Sequence, residues 1–188
     1  TGLPWFVLGP ADDGAPVHEK TILLAGAADA TRRLRRSAED FRVIVDFLRG
    51  LVEAAVTPFI AFADSRRMVE QVVSALYRRP ADSGTESDDD ESGEPTVTGT
   101  RRVLPYRAGY EEEDRIAIQQ SLAAGTLRGV VSTSALELGI DIGHIDVVVL
   151  LQPPPTRKAF WQRLGRAGRS RPGLCIVLDL ENRYGLAH

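Results

Sequence analysis

Short apolar runs, separated by longer amphipathic segments, form the basic pattern of this 188-residue chain. Pro58 to Ala63, Gly129 to Ser132 and Ile145 to Leu151 are almost entirely apolar, which is typical of parallel strands covered on both faces. Arg101 to Tyr106 and Leu174 to Leu180 predict two more strands. Because strands alternate with helical segments, we predict an α/β fold in which a parallel sheet lies between layers of helices.

Apolar residues at helical spacing occupy the segments between these runs. Asp29 to Ala55 predicts one long helix or two, and the next helix follows Ser65 and ends near Pro80. Another begins at Glu111, where acidic residues complement the helix dipole, and Thr156 to Leu164 predicts a fourth. The residues expected on the buried sides of the first three helical segments are Phe41, Ile44, Val45, Leu48, Val52, Val69, Val72, Val73, Leu76, Ile116, Ile118, Leu122 and Ala123.

The domain organisation is predicted to be simple. We interpret residues 1–188 as one domain, with residues 1–28 forming entry strands. Segment 81–99 is rich in Ser, Gly, Asp, Glu and Thr and predicts a disordered insertion. An acidic gate that competes with nucleic acid is the alternative role for it. Since the chain begins at Thr1 rather than methionine, we expect it to derive from a longer protein.

Outside the acidic insertion, the chain carries a net positive charge. The formal net charge is −3, and setting aside the insertion's seven acidic residues leaves the rest at about +4. Of the 23 basic residues, all but Lys20 and Lys158 are arginine. This balance is compatible with binding to a polyanion.

Composition also excludes some classes of protein. No apolar run approaches the ~20 residues that span a bilayer, so no membrane partner is expected. The single cysteine, Cys175, cannot form a disulfide framework or a zinc cluster alone, and its apolar surroundings predict a buried strand residue. We expect a cytoplasmic location, associated with the nucleoid if the source is bacterial.

Residues suited to binding phosphate are most concentrated in Gln162 to Arg169, which has the pattern Q-x-x-G-R-x-G-R. We interpret this stretch as the start of a helix, in which Arg166 and Arg169 present planar guanidinium groups suited to a triphosphate. Upstream, Thr133 to Asp141 reads T-x-x-x-x-x-G-I-D. A solvated basic helix end is the alternative for the arginines, but the presence of both motifs favours phosphate binding.

Polar residues follow several predicted strands. The segments are Asp64-Ser65-Arg66, Arg107-Ala108-Gly109, Ser132-Thr133-Ser134 and Gln152. Because the carboxyl ends of parallel strands meet at one edge, where open α/β sheets bind ligands, we expect these segments to lie together. Their hydroxyls and amides suit phosphate without reading bases. Helix capping is the alternative role for Ser65 and Thr133.

Three of these stretches resemble helicase motifs. Phe59 to Arg66, Thr133 to Asp141 and Gln162 to Arg169 are similar to motifs IV, V and VI of superfamily 2 helicases, in the family's order. Arg107 to Tyr110, with Glu113-Asp114-Arg115, resembles the H-A-G-L…E-R segment between motifs IV and V. The resemblance implies the second RecA-like motor domain, with a parallel sheet sandwiched between helices in the manner of P-loop NTPases.

A narrower resemblance is to the Lhr and YprA/MrfA-like branch. Leu138 stands where DEAD-box proteins carry arginine, and Asp13 to Pro16 also looks like that branch. The branch implies DNA rather than RNA as the partner, and repair as the commonest role. The four-cysteine domain that the branch carries further along is not within these residues.

The resemblance also implies roles for individual residues. Arg166 and Arg169 would reach the triphosphate of ATP, with Arg169 as the arginine finger. Gly139 and Asp141 would lie near the ribose, and Gln162 would couple the nucleotide to the face between the two motor domains. The residues that would hold the nucleic-acid backbone are Ser65, Arg66, Arg107, Gly109, Thr133 and Ser134.

The resemblance further implies that ATP binds between this domain and an N-terminal RecA-like domain of the same protein. That partner would hold most of the Mg²⁺ contacts, since no G-x-x-x-x-G-K-[ST] or D-E-x-H pattern occurs here. We therefore expect ATP hydrolysis by the full-length protein and none by this chain alone.

Two alternatives to a DNA helicase remain at this point. One is an ATP-driven translocase, remodelling or backbone-binding module that does not separate strands, and the other is an RNA helicase. A standalone dinucleotide-binding domain is excluded, because Gly165 to Gly168 does not provide a G-x-G-x-x-G pattern after a strand.

Overall fold

A six-stranded parallel sheet forms the centre of the domain. The structure, a computed structural model, describes residues 18–26, 36–54, 58–77, 102–106, 110–136, 145–169 and 171–180. Its strands are β1 (Lys20–Gly26), β2 (Phe59–Phe62), β3 (Val103–Tyr106), β4 (Gly129–Ser132), β5 (Val147–Leu150) and β6 (Gly173–Asp179). Its helices are α1 (Arg36–Glu53), α2 (Arg66–Tyr77), α3 (Glu112–Ala123) and α4 (Arg157–Leu164), with a 3-10 turn at Ser134–Leu136.

The strand order is β1-β6-β5-β2-β4-β3, and every neighbouring pair is parallel. At the carboxyl end of β2, Phe62 is in register with Ser132 of β4 on one side and Leu150 of β5 on the other. All residues of β2, β4 and β5 are buried. The apolar runs therefore form interior strands, as the sequence pattern predicts, and the α/β fold class is confirmed.

Successive side chains of each strand face opposite layers of helices, because side chains alternate along a strand. Ile60 and Phe62 of β2 pack in a core with α3 and α4. Phe59 and Ala61 pack in a second core, with α1 and α2. The sheet therefore separates two hydrophobic cores, and residues two apart on one strand share the same layer.

Packing of the helices confirms most of the predicted buried positions. Ile44, Val45 and Leu48 of α1 are buried, and so are the three valines on the inner face of α2. The prediction is wrong for Ile116, which is 44% exposed, and for Ala123, which is also exposed. Two residues span about 200° of a helix, so Ile116 points away from the core that Ile118 enters.

Cys175 lies on β6, is fully buried, and has a free thiol, as the apolar run predicts. Burial raises the pKa of this thiol to about 11. The thiol therefore stays protonated at neutral pH and is a poor nucleophile, since the thiolate is the reactive form.

Several predicted features lie outside the described residues. These are residues 1–17 of the predicted entry strands, the insertion at 81–99 and the start of the helix predicted at Asp29. Within the described ranges, no helix combines the length and apolar character needed to cross a bilayer.

Candidate nucleic-acid and nucleotide contact sites

Two of the predicted backbone-binding segments meet at the carboxyl edge of the sheet. The segment after β2 is joined there to the last residue of β4 by a 2.8 Å hydrogen bond from the Ala63 amide to the Ser132 carbonyl. Ser65 and Ser134 are exposed beyond this bond, and Thr133 is half-buried. The predicted hydroxyl contacts of motifs IV and V therefore line one continuous edge.

Ser65 also has a local structural role. Its Oγ accepts a 3.1 Å hydrogen bond from the Met68 amide, and its carbonyl accepts one from the Val69 amide. Both bonds belong to an N-cap, so Ser65 starts α2 and orients Arg66, the first residue of the helix, which is exposed. The predicted capping role is confirmed, and a hydroxyl that caps through one lone pair can also contact phosphate.

The neighbouring strand β3 ends in a buried tyrosine. Tyr106 is in register with Ser132, whose Oγ donates a 3.1 Å hydrogen bond to the Tyr106 carbonyl. Burial raises the pKa of Tyr106, and the positive charge of Arg115 opposes part of that shift. The Tyr106 ring also meets the Tyr110 ring edge-on at 5.9 Å. This packing orders the end of β3, immediately before the predicted contact Arg107.

Motif VI is the end of a helix, so the interpretation of Gln162 to Arg169 as a helix start is wrong, whereas the helix predicted from Thr156 to Leu164 is confirmed. α4 begins at its N-cap Thr156, whose Oγ1 accepts a hydrogen bond from the Ala159 amide, and it finishes at Leu164. Gly165 is the C-cap. The pattern G-R-x-G-R matches a C-terminal signal, since glycines commonly end helices and basic residues complement the negative end of the dipole.

The two arginines lie on the turn after α4, with Arg166 half-buried and Arg169 exposed. Between them, Gly168 adopts a φ of +66°, which favours glycine. A Cβ added to Gly168 would lie 2.7 Å from the amide nitrogen of Gly173. Gly168 is therefore needed both for its conformation and for the close approach of two backbones.

This arginine turn, defined as Gly165 to Arg169, lies near the amino ends of β5 and β6. The Gly168 amide donates a 3.0 Å hydrogen bond to Ile145, just before β5, and Gly168 contacts Gly173 at the start of β6. Just beyond the turn, Arg171 pairs with Asp146 at 2.8 Å. The arginine turn is therefore anchored at the amino ends of β5 and β6, whereas the contacts of motifs IV and V lie at the carboxyl edge of the sheet.

Arg163 connects the carboxyl edge to the arginine turn. It was not among the site residues predicted from the sequence. Its side chain is only 5% exposed, lies 3.5 Å from the Asp64 carboxylate, and stacks over the Phe62 ring with 5.3 Å between the guanidinium carbon and the ring centroid. Its carbonyl accepts a 3.0 Å hydrogen bond from the Arg166 amide. The signal available in the sequence was its place in motif VI beside Gln162, which itself is half-buried on α4.

A groove of about 780 Å³ lies between α1 and α2 and reaches Gln152. Its lining includes the carboxylates of Asp40 and Glu70 as well as apolar side chains such as Phe41. Carboxylates repel phosphate, so the exposed Ser65, Arg66 and Ser134 edge fits a nucleic-acid backbone better than this groove does.

Four predicted site residues lie outside the described residues. They are Arg107, Gly109, Gly139 and Asp141. Within the described ranges, no group of three or more His, Cys, Asp or Glu side chains is arranged to hold a metal ion.

The parallel six-stranded sheet between two layers of helices has the RecA-like fold. The model of the helicase conserved C-terminal domain matches residues 41–171. The chain therefore belongs to this family, and its relatives are helicases of the Lhr and YprA/MrfA-like type. The resemblance inferred from motifs IV, V and VI is confirmed.

Particular relatives show the extent of the match. The chain is 33% identical over 186 residues to the uncharacterized ATP-dependent helicase YprA of Bacillus subtilis, covering 97% of this chain and 22% of YprA. The crystal structure of the DUF1998 helicase MrfA bound to DNA and AMPPNP is similar with a TM-score of 0.63 and 30% identity, covering 90% of this chain and 21% of MrfA.

The Mycobacterium smegmatis helicase Lhr bound to single-stranded DNA and AMP-PNP is similar with a TM-score of 0.62 and 25% identity. That match covers 88% of this chain and 20% of Lhr. The chain thus spans about a fifth of the length of the relatives it matches.

Proposed function

We propose that this domain is the C-terminal motor half of an ATP-dependent DNA helicase that acts in repair. The observation that carries the proposal is the presence of two contact regions in one domain: a polar carboxyl edge that includes Ser65 and Ser134, and an arginine turn with Arg166 and Arg169. Similarity to the DNA-bound helicases MrfA and Lhr supports DNA as the nucleic acid. The N-terminal RecA-like domain of the same protein would complete the motor.

The arginine turn fits the triphosphate of ATP. Gly168 brings the backbone into a tight turn that exposes Arg169, and two guanidinium groups near a phosphoryl group stabilise the negative charge that develops during its transfer. In this proposal Arg169 is the arginine finger, Arg166 contacts the phosphates, and Gln162 faces the partner domain. Mg²⁺, bound mainly by that partner domain, would neutralise the charge between phosphates.

The carboxyl edge fits the backbone of one DNA strand. Ser65 and Ser134 expose hydroxyls there, and Arg66 adds a positive charge at the start of α2. Such groups bind phosphates and carry no base information. Closure of the two domains on ATP, followed by opening after hydrolysis, would shift these contacts along the strand. In the same proposal, Gly139 and Asp141 lie by the ribose, and Arg107, Gly109 and Thr133 share the backbone contacts.

The test compares ATP hydrolysis with strand displacement by the full-length protein. We expect single-stranded DNA to stimulate hydrolysis, ATP to be required for displacement on a forked duplex, and the isolated 188-residue chain to hydrolyse no ATP. If single-stranded DNA stimulates ATP hydrolysis but no strand is displaced from forks of either polarity, the protein is a translocase and not a helicase. Stimulation by RNA alone would refute the DNA assignment, and the absence of any nucleic-acid-stimulated hydrolysis would refute the motor.

Two substitutions at Ser65 separate capping from DNA contact. Ser65→Ala removes the cap and should lower the free energy of unfolding by about 1 kcal/mol. Ser65→Asp keeps a good cap, so stability should be unchanged. Its negative charge beside the DNA backbone should weaken the affinity for single-stranded DNA by at least about 5-fold. Urea unfolding and fluorescence anisotropy measure the two effects.

Ser74→Asp is the matched control, because Ser74 is exposed on the same helix but away from the carboxyl edge. It adds the same charge and should change the affinity for DNA by less than about 2-fold. Equal binding by Ser65→Asp and Ser74→Asp would show that the DNA backbone does not pass Ser65.

A further inference from the structure

Two residues in front of β5 close the loop that runs from the arginine turn into β6. At one end of this loop, the Gly168 amide donates a 3.0 Å hydrogen bond to the Ile145 carbonyl. At the other end, the Leu174 amide donates a 2.7 Å hydrogen bond to the Asp146 carbonyl. Between them, the Arg171 Nε lies 2.8 Å from the Asp146 Oδ2. Two backbone bonds therefore hold the ends of the loop, and one ion pair holds its middle.

The ion pair joins a nearly buried carboxylate to an accessible arginine. The side chain of Asp146 is 11% exposed, whereas that of Arg171 is 56% exposed. An ionised carboxylate is costly to bury unless an opposite charge pairs with it, and Arg171 supplies that charge. Because Asp146 lies at the amino end of β5, on the sheet itself, the pair restrains the middle of the loop relative to the sheet.

Arg169 lies within this closed loop, between Gly168 and Arg171. An arginine finger acts only when its guanidinium reaches the place where negative charge develops. A misplacement of about 1 Å can lower a rate about 10²-fold. Without the ion pair, the loop that carries Arg169 would be held at its ends alone. The contact between Asp146 and Arg171 is therefore placed where it can control the reach of the finger.

We propose that Asp146 is a positioning residue, which holds Arg171 so that the arginine turn presents Arg169 to the triphosphate in one orientation. This inference rests on the proposed function and adds to it the contact that orients the finger. Neither Asp146 nor Arg171 touches ATP in this scheme, because the carboxylate is nearly buried and engages the Arg171 guanidinium. Their loss should lower the rate of the chemical step and leave the binding of ATP largely intact.

The experiment measures kcat and KM for ATP in the full-length protein, with saturating single-stranded DNA. We expect Asp146→Asn to lower kcat about 10-fold, less than a fully misplaced finger would, because the two backbone bonds still hold the ends of the loop. KM for ATP should stay the same or fall, since the substitution removes a negative charge near the phosphates. Loss of the whole turn would instead raise KM as well as lower kcat.

Substitutions of Arg171 test the other half of the ion pair. Arg171→Gln should lower kcat about as much as Asp146→Asn, because it leaves the carboxylate without its paired charge. Arg171→Lys keeps a positive charge that can pair with the carboxylate at one point, so kcat should stay within about 3-fold of the wild type. Asp146→Asn combined with Arg171→Gln should have a kcat no lower than the worse single variant, because losses from one shared contact are not additive.

The matched control is Asp46→Asn, which removes another carboxylate from an ion pair with arginine by the same chemical change. Asp46 pairs with Arg49 at 3.0 Å on α1, which packs on the opposite face of the sheet from α4. Its replacement should leave kcat within about 2-fold of the wild type, as expected for a largely exposed pair. If Asp146→Asn does not fold, Arg171→Gln decides, because the Arg171 side chain is more than half exposed.

Several outcomes would overturn the positioning role. They are an unchanged kcat in Asp146→Asn, losses that multiply in the double variant, or a rise in KM in parallel with a fall in kcat and in the unfolding midpoint. A loss of about 10³-fold in Arg171→Gln, as large as removal of a finger produces, would show that Arg171 contacts the nucleotide itself. A wild type whose ATP hydrolysis DNA does not stimulate would refute the proposed function as well, whereas a stimulated wild type with unaffected variants refutes only this inference.

Discussion

Replacing Arg169 by alanine in the full-length protein should lower DNA-stimulated ATP hydrolysis by at least about 10³-fold, the lower end of the range for arginine fingers. Arg169 is exposed on the turn beyond Gly168, so its loss opens no cavity and should lower the free energy of unfolding by less than about 1 kcal/mol. The reason for the large effect is that the guanidinium acts on charge that develops only as the phosphoryl group is transferred. Steady-state kinetics should therefore show a fall in kcat that exceeds any change in KM for ATP.

Arg157→Ala is the matched control for Arg169→Ala. Arg157 is an exposed arginine in the first turn of the same helix, at the opposite end from the arginine turn. Its replacement should change kcat by less than about 2-fold, as is usual for an exposed surface charge. Stimulated hydrolysis that survives within a few-fold in a folded Arg169→Ala protein would show that another residue supplies the finger.

Replacing Gly168 by alanine should be strongly destabilising, because both its conformation and its surroundings disfavour a side chain. A left-handed conformation costs an alanine about 1–2 kcal/mol. The new Cβ would also lie 2.7 and 2.8 Å from two backbone atoms of Gly173, an overlap that costs about 1–3 kcal/mol more. We therefore expect the free energy of unfolding to fall by about 2–5 kcal/mol, measured by urea unfolding of the 188-residue chain. In the full-length protein the displaced turn should also lower ATPase activity.

Substitutions at two other glycines distinguish backbone strain from steric overlap as the cause of this loss of stability. Gly125 has a φ of +71° but no atom within 4 Å of an added Cβ, so Gly125→Ala should cost only about 1–2 kcal/mol of backbone strain. Gly50 lies within α1, also in open space, and Gly50→Ala should stabilise the chain by about 0.5–1 kcal/mol. Equal effects at Gly125 and Gly168 would show that the contact with Gly173 does not constrain the arginine turn.

Local sequence was sufficient to predict a feature wherever one short segment contains all the residues that cause it. The β4 run Gly129–Ser132 was predicted with the observed limits, because a short apolar run between polar residues has little freedom in where it ends. Ser65 was predicted as a cap for a similar reason: the serine and the amide that it accepts from are three residues apart. Motifs IV to VI also identified the family, since each motif is one short continuous stretch.

The incorrect predictions concern features whose cause lies elsewhere in the chain. Ile116 fits an apolar pattern, but which face of α3 is buried depends on where the sheet lies, so it is exposed. Motif VI was interpreted as a helix start because glycine and arginine near a helix are compatible with either end. The cap at Thr156 shows where α4 begins, and the contact between Gly168 and Gly173 fixes the turn that follows its end.

The sequence by itself determined that this protein has a parallel α/β fold, and that it carries three helicase motifs with arginines suited to phosphate. Those properties depend on residue types and short spacings, which a single strand or helix already contains. Only the tertiary structure decided that the arginine turn packs against the amino ends of β5 and β6, and that Arg163 meets Asp64 beside the carboxyl edge. Strand order brings such distant segments together, and it depends on how the whole sheet packs between its two cores.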